Sequence, residues 1–187
     1  MGSAIPSEGL SDCFVDTLQG SIRNLHFTDA NINSQKTTGL AACVVDDTGT
    51  VSNIRAVNVH IVNSGMYADA GIGGGGRVKG MVANIMAVNS HVTTSGFRAD
   101  AGIGGGGGEV KAGGTVANTR AVNSHVKTTG PRAETGIGGG GIVERGGTVA
   151  NTTAVNSTVK AVGFHAYVGI GGGGGLTLEE RLPTPQR

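Results

Sequence analysis

The sequence predicts an all-β fold, a right-handed parallel β-helix of about five coils with three short strands in each. Two observations carry that reading: an internal repeat with a period near thirty residues, and short Val/Thr/Asn/Ala runs punctuated by glycine. Gly20, Gly49, Gly80, Gly114 and Gly147 open similar segments whose starts lie 29, 31, 34 and 33 residues apart. Such a period marks supersecondary units that bury their apolar faces by stacking on one another. Each unit holds three β-type runs, such as TVAN, AVNSHV and AGIGG, separated by Asn, Thr-Gly or Gly. Helical repeats fit poorly, because no 3.6-residue apolar stripe is present and Gly, Val, Thr and Asn dominate.

The frame inside each unit is constant. Ile22 to Cys43, Val51 to Ile72, Val82 to Ile103, Val116 to Ile137 and Val149 to Ile170 are each separated by 21 positions. Length changes fall after the glycine run, where a surface loop interrupts the stack. Glu8–Asp16 aligns with Thr38–Asp46, so the repeat domain is expected to run from 8 to 175 and to open part-way through a coil. Residues 1–7 read as an N-terminal extension or expression scar, and 176–187, more charged and proline-bearing, as a cap or tail.

Stacked coils turn sequence columns into ladders. Val51, Val82, Val116 and Val149 form one inward column, and Ile72, Ile103, Ile137 and Ile170 another, headed by Cys43. Ile32, Ile61, Val92, Val126 and Val159 form a third. Asn24, Asn53, Asn84, Asn118 and Asn151 make one polar ladder; Asn58, Asn89, Asn123 and Asn156, headed by Asp29, make a second. Asparagine tolerates corner conformations and hydrogen-bonds to its own copy one coil away. Cys13 and Cys43 align, and as neighbours on successive coils they are either disulfide-bonded or buried thiols.

Composition excludes several classes. Collagen is ruled out by 36 glycines without a Gly-X-Y period and only 4 prolines. Six aromatics and no Trp argue against a large conventional core, a sugar-stacking platform and a base-stacking surface. A net charge of +1 and a pI near 7.9 leave no nucleic-acid footprint. No run of 18 apolar residues predicts a membrane span, and MGSAIPSEG has the features of no signal peptide.

The candidate sites are few. His60, His91 and His125 recur in one outward column, close enough to chelate Zn²⁺ or Cu²⁺ or to stack as an exposed ladder. Gly71–Gly76 and its copies satisfy G-x-G-x-x-G, but no helix pattern follows and the motif repeats with the architecture, so no nucleotide cofactor is expected. Arg98 with Asp100 and Arg132 with Glu134 recur two residues apart, with Asp69 and Tyr167 in the acidic column; the alternatives are a small charged ligand patch and the commoner exposed cross-strand ion pairs, which are the expectation. Thr37–Thr38, Thr93–Thr94 and Thr128–Thr129 form broken threonine ranks of the kind that order water on ice-binding faces. The sequons at Asn151 and Asn156 fall in the asparagine ladders.

The combination G-T-V-x-N, A-V-N and G-I-G-G resembles the GLUG-motif repeats of bacterial surface and adhesin-like proteins, over roughly Glu8 to Gly175. This chain has GIGGGG where those repeats carry a G-L-V-G type ending. The resemblance implies an extracellular β-solenoid stalk or adhesive array within a longer chain, and brings no catalytic residues. The expected function is therefore non-catalytic: a stalk or interaction surface of a secreted or surface protein, meeting a glycan or protein receptor. The alternatives are a module binding glycan, ice or metal on a flat face, and a unit that self-associates end to end.

Overall fold

The computed structural model describes residues 4–5, 12–105, 107–171 and 175–176. The expected N-terminal extension and C-terminal tail fall outside these residues, apart from Ala4–Ile5 and Leu176. The chain forms a β-solenoid of about five turns built from three parallel sheets, and among the described residues no helix is long and apolar enough to cross a membrane.

Each coil begins with an eight-residue strand, such as Thr115–Val122, that pairs in parallel with its copies in neighbouring coils. Its left-handed asparagine (φ 54° at Asn118) bends the strand, and the ladder resumes at the next residue. A second left-handed asparagine, Asn123, turns the chain into the four-residue second wall, His125–Thr128. AVNSHV is thus two strands joined at a corner, and the serine after the asparagine is buried. Ser124 Oγ accepts the Ser90 N–H of the preceding coil (3.2 Å) and donates to the Val122 carbonyl (2.9 Å). A third corner leads to the third wall, whose strands include Ala70–Val78, Ala101–Gly104 and Glu134–Gly138.

The core is a narrow aliphatic stack, because inward positions alternate with exposed ones along each wall. Val51, Val82, Val116, Ile72, Ile103 and Ile137 are fully buried. A further column missed in the sequence, Ile54 and Ile85 followed by Thr119, lies just beyond the first asparagine ladder. Three expected core positions differ: Val149 and Val159 are only partly buried, and Ile170 is 57% exposed. All three lie in the last described coil, so their outer side lacks the shielding that the inner coils receive.

The first coil also differs from the expected alignment. Thr38 and Gly39 pair with Ala70 and Gly71, so Leu40, fully buried, follows the path of Ile72. The corner from Ser34 to Thr38 is three positions shorter than that from Asn63 to Ala70, which carries Cys43 past the core column, and the register slips further on, between Ala42 and Val44. Cys13 pairs with Gly39 rather than stacking on Cys43. The two cysteines nevertheless form a disulfide, with Cα atoms 5.6 Å apart, beside the third wall and not within the apolar cluster.

Candidate functional site

Every inner coil contains several left-handed residues, and their identities separate architecture from recognition. A non-glycine residue in this conformation costs roughly 1–2 kcal/mol, with Asn and Asp the most tolerant. The two asparagine ladders fill their columns with Asn at every position but Asp29. In the first, each side chain donates to the one before it: Asn53 to Asn24, Asn84 to Asn53, Asn118 to Asn84 and Asn151 to Asn118, at 2.9–3.0 Å. Asn58 donates to Asp29 in the second (2.9 Å).

The third corner follows another rule. Its left-handed residues are Tyr67, Arg98, Arg132 and His165, with φ between 49° and 56°. None is a glycine or an asparagine. The preceding glycines, Gly65, Gly96, Gly130 and Gly163, are fixed by packing, since a Cβ on any of them would overlap the backbone carbonyl of the previous coil. Four of the chain's six aromatics gather here: Tyr67, Phe97, Phe164 and Tyr167. Tyr67 packs edge-on against Phe97 (5.5 Å), and Arg98 lies over the same ring (5.9 Å). Composition thus understates the aromatic surface, because these rings are concentrated along one edge.

That edge is one bank of a groove running along the solenoid. Two adjoining clefts of about 710 Å³ each share Tyr67, Asp69 and Arg77, so the depression extends from the Cys13–Cys43 disulfide to His165 and Tyr167. The opposite bank is the column Arg77, Glu109 and Ile142, whose members pair in register. Arg77 meets Glu109 at 3.7 Å, and Lys111 meets Glu109 and Glu144 at 2.6 and 2.7 Å.

Between the banks lies a stack of carboxyl groups. The Asp100 N–H donates to Asp69 Oδ1 (3.1 Å), and the Glu134 N–H donates to Asp100 Oδ1 (2.6 Å). The glycine loops make room for them: a Cβ on Gly108 would stand 2.5 Å from Asp69 Oδ2, and one on Gly141 would overlap Asp100 Oδ2. Burial pushes Asp69 up to about 7. Burial and the Asp69 charge push Asp100 up to about 8, against the opposing hydrogen bond from Glu134. The exposed Arg–acid pairs expected from sequence do not form. Asp100 is 9% exposed, and among the described residues neither Arg98 nor Arg132 enters an ion pair.

The other candidates are placed elsewhere. His60, His91 and His125 are register neighbours on the second wall; the first two rings stack at 4.7 Å and the third meets His91 edge-on. Burial, then the neighbouring His60 and His125, lowers the His91 pKa. The trio forms a ladder of ring contacts, and among the described residues no group of three or more His, Cys, Asp or Glu side chains is placed to hold a metal ion. The threonine ranks dissolve as well. Thr94 and Thr128 are buried, and the outward row beside them reads Asn33, Val62, Thr93, Lys127 and Lys160. Gly73, Gly104, Gly138 and Gly171, at φ 87–111°, turn the third wall, a structural use of the glycine motif.

No protein-family model, curated protein or solved structure matches this chain. The groove's chemistry must therefore be read from its own residues. Its left-handed column escaped the sequence reading because Tyr, Arg and His carry no conformational signature. The available signal was the glycine two residues before each left-handed position and the alanine just after it, in GMYA, GFRA, GPRA and GFHA.

Proposed function

We propose that this chain is a non-catalytic β-solenoid interaction module whose recognition surface is the axial groove at the third corner. One observation carries the reading: four strained, side-chain-bearing residues edge the groove at positions where the same solenoid uses asparagine elsewhere. Strain retained in successive coils signals a selected side chain, since asparagine would satisfy the turn at lower cost. A passive stalk would have no use for Tyr67 at 60% exposure or Phe164 at 75%. The resemblance to GLUG-motif repeats supports a secreted or surface-attached setting, and the disulfide is in keeping with an oxidising compartment. The module would then hold a ligand for a larger surface protein without transforming it.

The test replaces the exposed rings and leaves the fold alone. Tyr67→Ala with Tyr167→Ala removes the two tyrosine rings that line the groove, each worth about 1 kcal/mol in contact with a ligand. Retention of a panel of neutral and acidic polysaccharides, followed by affinity electrophoresis, should weaken about tenfold or more. Undiminished retention by the variant would remove the groove as the recognition surface.

A further inference from the structure

We infer that the groove takes a uronic-acid polysaccharide, lying along the solenoid axis with its carboxylates on Arg98 and Arg132. This rests on the groove being the recognition surface and names the ligand class. The geometry favours a linear polymer, because the groove repeats its chemistry coil after coil. Tyr67, Arg98, Arg132 and His165 mark three steps of roughly 4.8 Å, about 15 Å in all. That step is close to the rise of one sugar in an extended chain, so adjacent sugars would meet equivalent residues on adjacent coils.

Charge selects the acidic class. Arg77 is engaged by Glu109, whereas Arg98 and Arg132 stand in successive coils without an ion-pair partner among the described residues. A guanidinium fork matches a carboxylate with two parallel hydrogen bonds. The half-buried Asp69 and the buried Asp100 hold their protons near neutrality and so subtract little from that positive edge, while offering donors to sugar hydroxyls. The exposed rings of Tyr67 and Tyr167, which line the groove, suit the apolar faces of sugar rings. A nucleic acid is disfavoured by the net charge of +1, since phosphate-backbone binding rests on many cations at once.

The experiment compares polygalacturonate, alginate and hyaluronate with the carboxyl-reduced form of each. Wild type should retain at least one acidic polymer about tenfold more tightly than its reduced form, and the difference should shrink with added salt. Arg98→Gln with Arg132→Gln should abolish that preference while preserving retention of the reduced polymer. His60→Ser, His91→Ser and His125→Ser, on a different wall, should change nothing. Equal retention of acidic and reduced forms would overturn the ligand class and leave the groove reading intact. A preference that survives the arginine substitutions, or tighter binding of poly-glutamate or single-stranded DNA, would also overturn it. Retention of none of these polymers in either form would overturn the ligand class together with the groove's role in polysaccharide recognition.

Discussion

At the residue scale, a left-handed turn can be filled for stability or for function, and this chain does both. Asn118 illustrates the first. It donates to Asn84, accepts from Asn151, and holds φ 54° with little strain. Asn118→Ala loses two exposed hydrogen bonds, worth about 0.5–1.5 kcal/mol each, and puts alanine where it costs roughly 1–2 kcal/mol. Urea unfolding should show a loss of about 2 kcal/mol or more, and Asn118→Gly should recover the conformational part alone. Arg132, at φ 56°, illustrates the second. Arg132→Asn should stabilise the fold by about 1 kcal/mol through relief of strain, while weakening retention of an acidic polymer. A destabilised Arg132→Asn would mean that the arginine serves the fold, and the contrast between the two kinds of corner would fail.

At the element scale, the coil is the legible unit. Parallel stacking keeps residue columns in register, so a fixed 21-residue frame maps directly onto space wherever each coil contributes the same number of residues to a wall. That is why Val51, Val82 and Val116, or Asn53, Asn84 and Asn118, were readable as ladders. The frame failed where a corner lost residues. Ser34 to Thr38 spans three positions fewer than Asn63 to Ala70, a shortening that matching two cysteines concealed, and with it Leu40 as the true partner of Ile72. The groove was only half legible: Arg98, Asp100, Arg132 and Glu134 were visible as recurrent, but their burial and separation depend on glycine loops too uniform to announce what they accommodate. The disulfide ties this irregular coil to the preceding strand across a sequence separation of 30. Chain-entropy reasoning gives such a closure about 3–4 kcal/mol. Cys13→Ser with Cys43→Ser should lower the urea midpoint accordingly, whereas a midpoint unchanged from wild type would show that strand Cys13–Leu18 docks without the bond.

At the scale of the whole molecule, recognition and stability are coupled through protons, because the groove's acids are buried in the same stack that supports its edge. Asp69 and Asp100 have folded pKa values of about 7 and 8, raised from 3.8. Through the window between those limits the folded chain holds protons that the unfolded chain has released. Their stabilisation is complete below about pH 4 and is lost as pH rises through 7 and 8. His91 acts in the opposite sense: its lowered pKa leaves the folded state neutral where the unfolded imidazole is protonated, so stability falls on acidification below roughly pH 6.5. Above that point the histidine contributes no slope and the buried aspartates dominate. Between about pH 4 and 6.5 two aspartates outweigh one histidine, so urea midpoints should decline with rising pH from about pH 4 to about pH 9, with a loss on the order of 2 kcal/mol above pH 6.5 alone. Asp69→Asn with Asp100→Asn keeps the stacked shape without the titration, and should flatten that decline and uncover the fall on acidification that His91 contributes. A wild-type curve already flat across the alkaline limb would mean that both carboxyl groups are ionised and solvated near neutrality. The groove would then carry two more negative charges, and its preference for an acidic ligand would weaken with them.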